Sequence, residues 1–157
     1  MLTRKSFQTT ESAFGCRYHR APKTVNDDYH CAKKVLGSGL SGDVHMATSK
    51  HDSKHKYAVK AFNLHGLSAQ DREDLANEAS VFLGMDHPHV ARLVDVYESE
   101  TRLEFVMECL TGGELFARIA RRKKFCEKDA VDATWQMLLA LNYLHSHGIV
   151  HRDIKLE

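Results

Sequence analysis

The residues best suited to chemistry stand at the end of the chain. His151–Arg152–Asp153 is followed by Ile154 and Lys155. Asp153 with Lys155 two residues on sets a proton acceptor beside a cation. That pairing suits a step in which a hydroxyl loses its proton while a phosphoryl group gains charge. Far upstream, Gly37, Gly39 and Gly42 spell G-x-G-x-x-G, with Val44 two residues beyond. Glycines let backbone N–H groups approach phosphates with no Cβ in the way. Alone the motif is weak, because a dinucleotide-binding turn has the same spacing and a merely structural hairpin would also use it. Lys60 follows Ala58–Val59 in an apolar run. A strand lysine can simply snorkel to water. A functional one needs an anionic partner, and Glu78 is the obvious candidate. A buried Lys–Glu pair is costly without added hydrogen bonds, which phosphates would supply.

These residues need elements to hold them. Residues 31–36, 43–48 and 57–62 read as three strands, with the Gly run as the turn between the first two. The alternating segment after Gly42 favours a β-hairpin flap, since a dinucleotide turn would open a helix there. Ser68–Ala69–Gln70–Asp71 has the form of a capping box. Leu75, Ala79 and Phe82 then recur at helical spacing, and Glu78 falls on the edge of that apolar stripe. Gly84 and Pro88 close the helix. Residues 90–97 and 103–107 are two further strands. Thr111–Gly112–Gly113 breaks the chain before a short helix from Glu114, whose basic end, Arg121 to Lys124, reads as solvated. A long helix runs from Glu127 to His147–Gly148. Ala133, Met137, Leu141 and Leu144 form one apolar stripe on it, with Val131, Trp135 and Leu138 beside them, so this helix expects burial on most sides.

Composition excludes several function classes. A net charge of +1 gives no field that points to nucleic acid, and no apolar run is long enough to span a bilayer. Cys16, Cys31, Cys109 and Cys126 are scattered with no CxxC pair, which fits a reducing compartment. His145, His147 and His151 cluster, but no Cys or carboxylate pattern completes a metal site, so no metal ligands are assigned. The polar N-terminus lacks the apolar region of a secretory signal. It is read as a disordered leader over 1–28 in preference to an organellar transit peptide. The protein is placed in the cytoplasm, with nuclear access left open.

Taken together, the phrases Leu36 to Val44, Ala58–Val59–Lys60, Glu78, His87 to Val90, Met107 to Leu110, Gly112 to Phe116 and Tyr143 to Lys155 stand in one order at one spacing. They resemble the eukaryotic-type Ser/Thr protein kinases, most closely the calcium/calmodulin-dependent and calcium-dependent group. The resemblance implies an α+β fold. A kinase N-lobe over 29–110, with a five-stranded antiparallel sheet and one helix, would be followed over 111–157 by the first helices of a truncated helical C-lobe. It implies that Gly37, Gly39 and Gly42 cover the phosphates of ATP, while Leu36, Val44 and Ala58 line the adenine pocket. Lys60 would hold the α/β-phosphates and pair with Glu78, and Met107 would be the gatekeeper. Glu108 and Leu110 would offer backbone hydrogen bonds to adenine, so that their side chains matter little. Glu114 would contact ribose or a basic residue of the protein substrate. Asp153 would be the catalytic base and Lys155 the γ-phosphate contact. Phe82, Leu93 and His151 match members of a hydrophobic spine.

The departures are also specific. Ser41 replaces the usual aromatic at the tip of the Gly loop, which should cap phosphates less tightly. Cys126 stands where a Ser or Thr cap is common. The residues that hold Mg²⁺ in this family, an Asn after the catalytic loop and the D-F-G Asp, would lie beyond Glu157. The sequence reading therefore expects an incomplete fragment without turnover. Its alternative is a short non-catalytic nucleotide-binding or regulatory protein. No D-x-D-x-D-G loop is present, so a calcium-sensor module would lie downstream or act in trans.

Overall fold

The computed structural model describes residues 3–4, 16–39, 42–122 and 125–155. The expectations for Leu40 and Ser41 at the loop tip, for Lys123 and Lys124, and for most of residues 1–15 lie outside the described residues. The chain divides into two compact units. One comprises Thr10–Met85 with Ala91–Cys109; the other comprises Met1–Thr9, Asp86–Val90 and Leu110–Glu157.

The first unit is built on a sheet. Strands β3 (Tyr29–Gly39), β4 (Gly42–Ser49), β5 (Lys56–Asn63), β6 (Leu93–Glu98) and β7 (Arg102–Glu108) are the five expected from the sequence, and every pairing among them is antiparallel. A sixth was missed. β2 (Tyr18–Arg20) runs parallel to β6 along one edge, giving the order β2-β6-β7-β5-β4-β3. The expected leader is corrected accordingly. Residues 16–28 are part of the folded body, where the one-turn helix α1 (Val25–Asp28) buries Val25. Three-residue strands and one-turn helices leave no period to read, which is why the sequence concealed them.

Alternation along the strands sends side chains to two faces. Helix α2 (Ala69–Leu83) covers one of them. Its capping box forms as expected, with Ser68 Oγ accepting from Asp71 N at 3.1 Å and Asp71 Oδ2 accepting from Ser68 N at 3.2 Å. Ala79 and Leu83 are buried there with Leu93, Val96, Leu103 and Phe105, and Leu75, Phe82 and Met107 pack at the margin. On the other face Val25 and Tyr29 close over Ala47, Val59, Tyr97 and Val106. The predicted strand from Val90 begins three residues later. Val90 N instead donates to His87 O in a turn around Pro88.

The second unit holds α3 (Leu115–Arg122) and α4 (Glu127–Ser146), and β8 (Ile149–Val150), which pairs with β1 (Thr3–Arg4). The α4 N-cap is Cys126, whose Sγ accepts from Asp129 N at 3.4 Å. The helix ends at His147, with Gly148 at φ +70. Tyr143 on α4 stacks on His87, and its hydroxyl accepts from Asp86 N at 2.9 Å. Of the two apolar stripes, Leu144 is buried, whereas Val131, Trp135 and Leu138 are more than half exposed. Among the described residues no helix is long and apolar enough to cross a membrane.

Candidate active site

The β3–β4 hairpin carries the glycines. Gly39 pairs with Gly42, and Gly37 pairs with Val44. A strand therefore follows Gly42, and a dinucleotide turn, which needs a helix there, is excluded. Gly42 has φ +110, and a Cβ on it would lie 3.2 Å from the Ala61 carbonyl oxygen, so only glycine fits the turn without strain. Gly37 differs: a Cβ there would meet nothing within 4 Å. Open space at Gly37 is what a ligand-facing backbone needs.

Register then gathers the next group. Val44, Lys60 and Phe105 form one cross-strand row; Met46, Ala58 and Met107 form the next. Directly paired residues share a face, so Val44, Ala58, Lys60 and Met107 make one patch, on the face that α2 also covers. Ala58 is buried between the larger Met46 and Met107 positions, and its small side chain leaves the patch concave. Met46 was missed from sequence; its even spacing from Val44 was the available signal. Leu36 falls in a register shift between Val35 and Gly37, and its side chain is exposed.

Lys60 and Glu78 are not paired. Among the described residues no ion pair joins them, and the Lys60 ammonium lies 5.0 Å from the centre of the Phe62 ring. Lys60 and Phe62 are two apart on β5, hence neighbours on one face. A desolvated Lys–Glu pair returns little net stability, whereas a cation over an aromatic face keeps part of its water. Glu78 is half-buried at the edge of the α2 stripe, as its spacing implied, and does not require a partner there.

Glu108 also departs from expectation. Its N–H donates to Arg92 O at 3.0 Å and its Oε1 accepts from Arg92 N at 2.9 Å. The side chain, expected to matter little, closes the end of β7 onto the segment leading to β6. Leu110 is largely exposed, and Glu114 accepts from Arg118 N through its carbonyl as the first turn of α3 opens.

In the second unit, Lys155 Nζ stands 3.5 Å from Asp153 Oδ2, with both side chains more than half exposed. At that exposure the ion pair adds little stability; it sets a cation beside a carboxylate. Asp153 N donates to His151 Nδ1 at 3.3 Å. Arg152 adopts φ +64, the left-handed region that side chains rarely occupy. Such strain persists where the surroundings demand it and often marks a functional turn. No set of three or more His, Cys, Asp or Glu among the described residues is placed to hold a metal ion, His145, His147 and His151 included.

Comparison with known proteins agrees with this geometry. A family model described as the protein kinase domain matches residues 8–157. Calcium/calmodulin-dependent protein kinase type 1 of Macrobrachium nipponense is 36% identical over 131 residues, 83% of this chain and 38% of the relative. The type 1B enzyme of Rattus norvegicus is 42% identical over 125 residues, 80% of this chain and 36% of the relative. The human type IV enzyme is 37% identical over 130 residues, 83% of this chain and 26% of its own length. The chain thus spans from about a quarter to under two fifths of the length of these curated relatives. The crystal structure of Rad53 1–466 in complex with AMP-PNP superposes with a TM-score of 0.75 at 30% identity, over 85% of this chain and 34% of that one.

Proposed function

From the premise that this chain belongs to the protein kinase family, within its calcium/calmodulin-dependent group, we propose that it supplies the ATP site and catalytic base of a protein Ser/Thr kinase. The observation that supports this most is the shared face of Val44, Ala58, Lys60 and Met107 beside a glycine hairpin. Adenine fits the apolar part of that patch, with Leu36 and the Glu108 backbone at its rim. Phosphates fit under Gly37, Gly39 and Gly42, against the Lys60 ammonium. ATP supplies the phosphoryl group; the protein orients it and keeps water away.

Asp153 accepts the proton of a substrate Ser or Thr hydroxyl, and Lys155 offsets negative charge on the group being transferred. Glu114 gives the substrate side a preference for basic residues. Phosphoryl transfer depends on metal-borne charge neutralisation, and the 157-residue chain assayed alone is expected to bind nucleotide without turning it over. The cytoplasm is the proposed compartment.

Titration of the chain with AMP-PNP tests the site. Wild type binds, and Lys60→Met weakens binding at least about ten-fold, the scale of a lost charge-assisted contact; equal affinities would overturn the assignment. Transfer is tested on a chain extended to the relatives' length, with Mg-ATP and a basic Ser/Thr peptide. Asp153→Asn should abolish transfer and leave AMP-PNP affinity unchanged. A second reading, a nucleotide-binding module without catalysis, draws on the unpaired Lys60 and Glu78. It wins if the extended chain binds AMP-PNP and transfers nothing.

A further inference from the structure

Helix α2 carries Glu78, and its two ends are fastened in different ways. The first turn is held by its own Arg72, whose Nη1 donates to Glu100 O at 3.0 Å and Nη2 to Leu64 O at 2.8 Å. The last turn has no basic residue of its own. Gly84 N turns back to Val81 O and Met85 N to Phe82 O, which leaves the Leu83 carbonyl at a negative helix end with neither a helical donor nor a local cation. Arg17 fills that role from 66 positions away in sequence. Its Nη2 donates to Leu83 O at 2.7 Å and its Nη1 reaches Leu93 O at 3.4 Å. One guanidinium thus joins the end of α2 to the start of β6.

The residues around Arg17 are built into the same place. Its carbonyl accepts from Val96 N at 2.8 Å, and Ala21 N donates to Glu98 O at 3.1 Å. Tyr18, His19 and Arg20 pair in register with Val96, Tyr97 and Glu98. Tyr18 packs on the cluster that α2 covers, with its hydroxyl 3.0 Å from Glu98 Oε2. His19 stacks on Tyr97 and lies 3.5 Å from Asp95. Backbone, ring and guanidinium contacts all bind this segment to β6 and, through Arg17, to α2.

We propose that Cys16–Arg20 is a strap that fixes the C-terminal end of α2 to the sheet, with Arg17 as the positioning residue that sets where Glu78 stands relative to the Lys60 face. Glu78 lies five residues before Leu83, within about a turn and a half of the fastened end. Fastening that end limits how far the Glu78 carboxylate can travel; loosening it frees the carboxylate to move. The strap itself rests on geometry alone, and its consequence for nucleotide rests on the function proposed above.

The test uses the 157-residue chain as Arg17→Ala and Arg17→Lys, with Lys56→Ala, an exposed residue at the start of β5, as a control outside the strap. Amide exchange is followed across Val81–Met85, the first turn of α2 and the sheet, and AMP-PNP affinity is measured in parallel. Arg17→Ala should speed exchange in the last turn about ten-fold, the effect of one lost hydrogen bond to a charged donor. The first turn and the sheet should keep their rates, and nucleotide affinity should fall several-fold. Arg17→Lys, which can serve one carbonyl and not two, should fall between, and it carries the test if the alanine variant does not fold. Lys56→Ala should change neither reading. Wild-type exchange at Val81–Met85 in both Arg17 variants would overturn the strap. Faster exchange with undiminished affinity would overturn the positioning role. If wild type binds no AMP-PNP, the proposed function fails, and the exchange measurements alone then decide the strap.

Discussion

At the scale of single residues, the glycines divide by what surrounds them. Gly42 occupies a left-handed position against the Ala61 carbonyl, so Gly42→Ala should cost roughly 1–3 kcal/mol. Gly37 has open space and an ordinary φ, so Gly37→Ala should leave the melting midpoint within about a degree or two and weaken AMP-PNP. Thermal melts and titrations of the two variants check this; reversed effects would refute it. Charge behaves as specifically. Burial alone would raise the Asp28 carboxyl, but hydrogen bonds from Lys23, at 2.8 Å, and from the Tyr97 hydroxyl outweigh it and hold it below the ordinary range. Tyr97 is pushed up by burial and then by its bond to Asp28, and Tyr29 by burial and then by its bond to Asp95. A lowered carboxyl contributes stability that is present above its unfolded value, about 4, and lost as pH falls through its folded one. A raised phenol contributes stability that is present below about 10 and lost as pH rises beyond it. Denaturant midpoints should therefore be flat near neutrality and fall in acid and above about pH 10. Tyr97→Phe should flatten the alkaline fall, and an unchanged alkaline slope would refute the assignment.

At the scale of elements, caps decide how firmly the helices begin. Ser68 and Asp71 form a reciprocal box on α2, and Ser68→Ala should cost about 1 kcal/mol. On α4 a thiol does the work, at 3.4 Å. A hydroxyl is the stronger acceptor, so Cys126→Ser should raise the stability of α4 by several tenths of a kcal/mol to about 1, read as slower exchange in its first turn. No change, or faster exchange, would show that the thiol cap is sufficient. The elements also show what a sequence discloses. Strands with alternating apolar residues, the Ser68 box and the Gly148 stop were legible because each is a local pattern. β2, α1 and the Arg17 fastening were not. A three-residue strand has no period, and a guanidinium that meets a carbonyl 66 residues away leaves no mark at either position. Glu108 was misread for a related reason. Its motif fixed attention on the backbone, while the side chain bonds to Arg92, sixteen residues earlier.

At the scale of the whole molecule, the apolar face of α4 matters most. Two apolar stripes run along it, and the structure buries Leu144 while leaving Val131, Trp135 and Leu138 in water. Burying a large apolar side chain is worth about 1.5–3 kcal/mol, so three left exposed forgo an amount comparable to a domain's net stability. Such a face favours association over solvation. Trp135 is the single tryptophan of the chain, and it therefore reports on this face without interference. In the 157-residue chain at low concentration its emission should be that of a solvated indole and should be quenched freely by acrylamide. Raising the concentration should shift the emission to the blue as copies associate. Leu138→Glu should suppress that shift and leave the melting of the sheet unit unchanged, because Leu138 is already half exposed and lies outside that unit. Blue-shifted, protected emission at every concentration in a chain extended to the relatives' length would place the added residues on this face. If extension leaves Trp135 as accessible as before, the added residues do not pack on this face. The distribution of stability between the two units would then need a different physical basis.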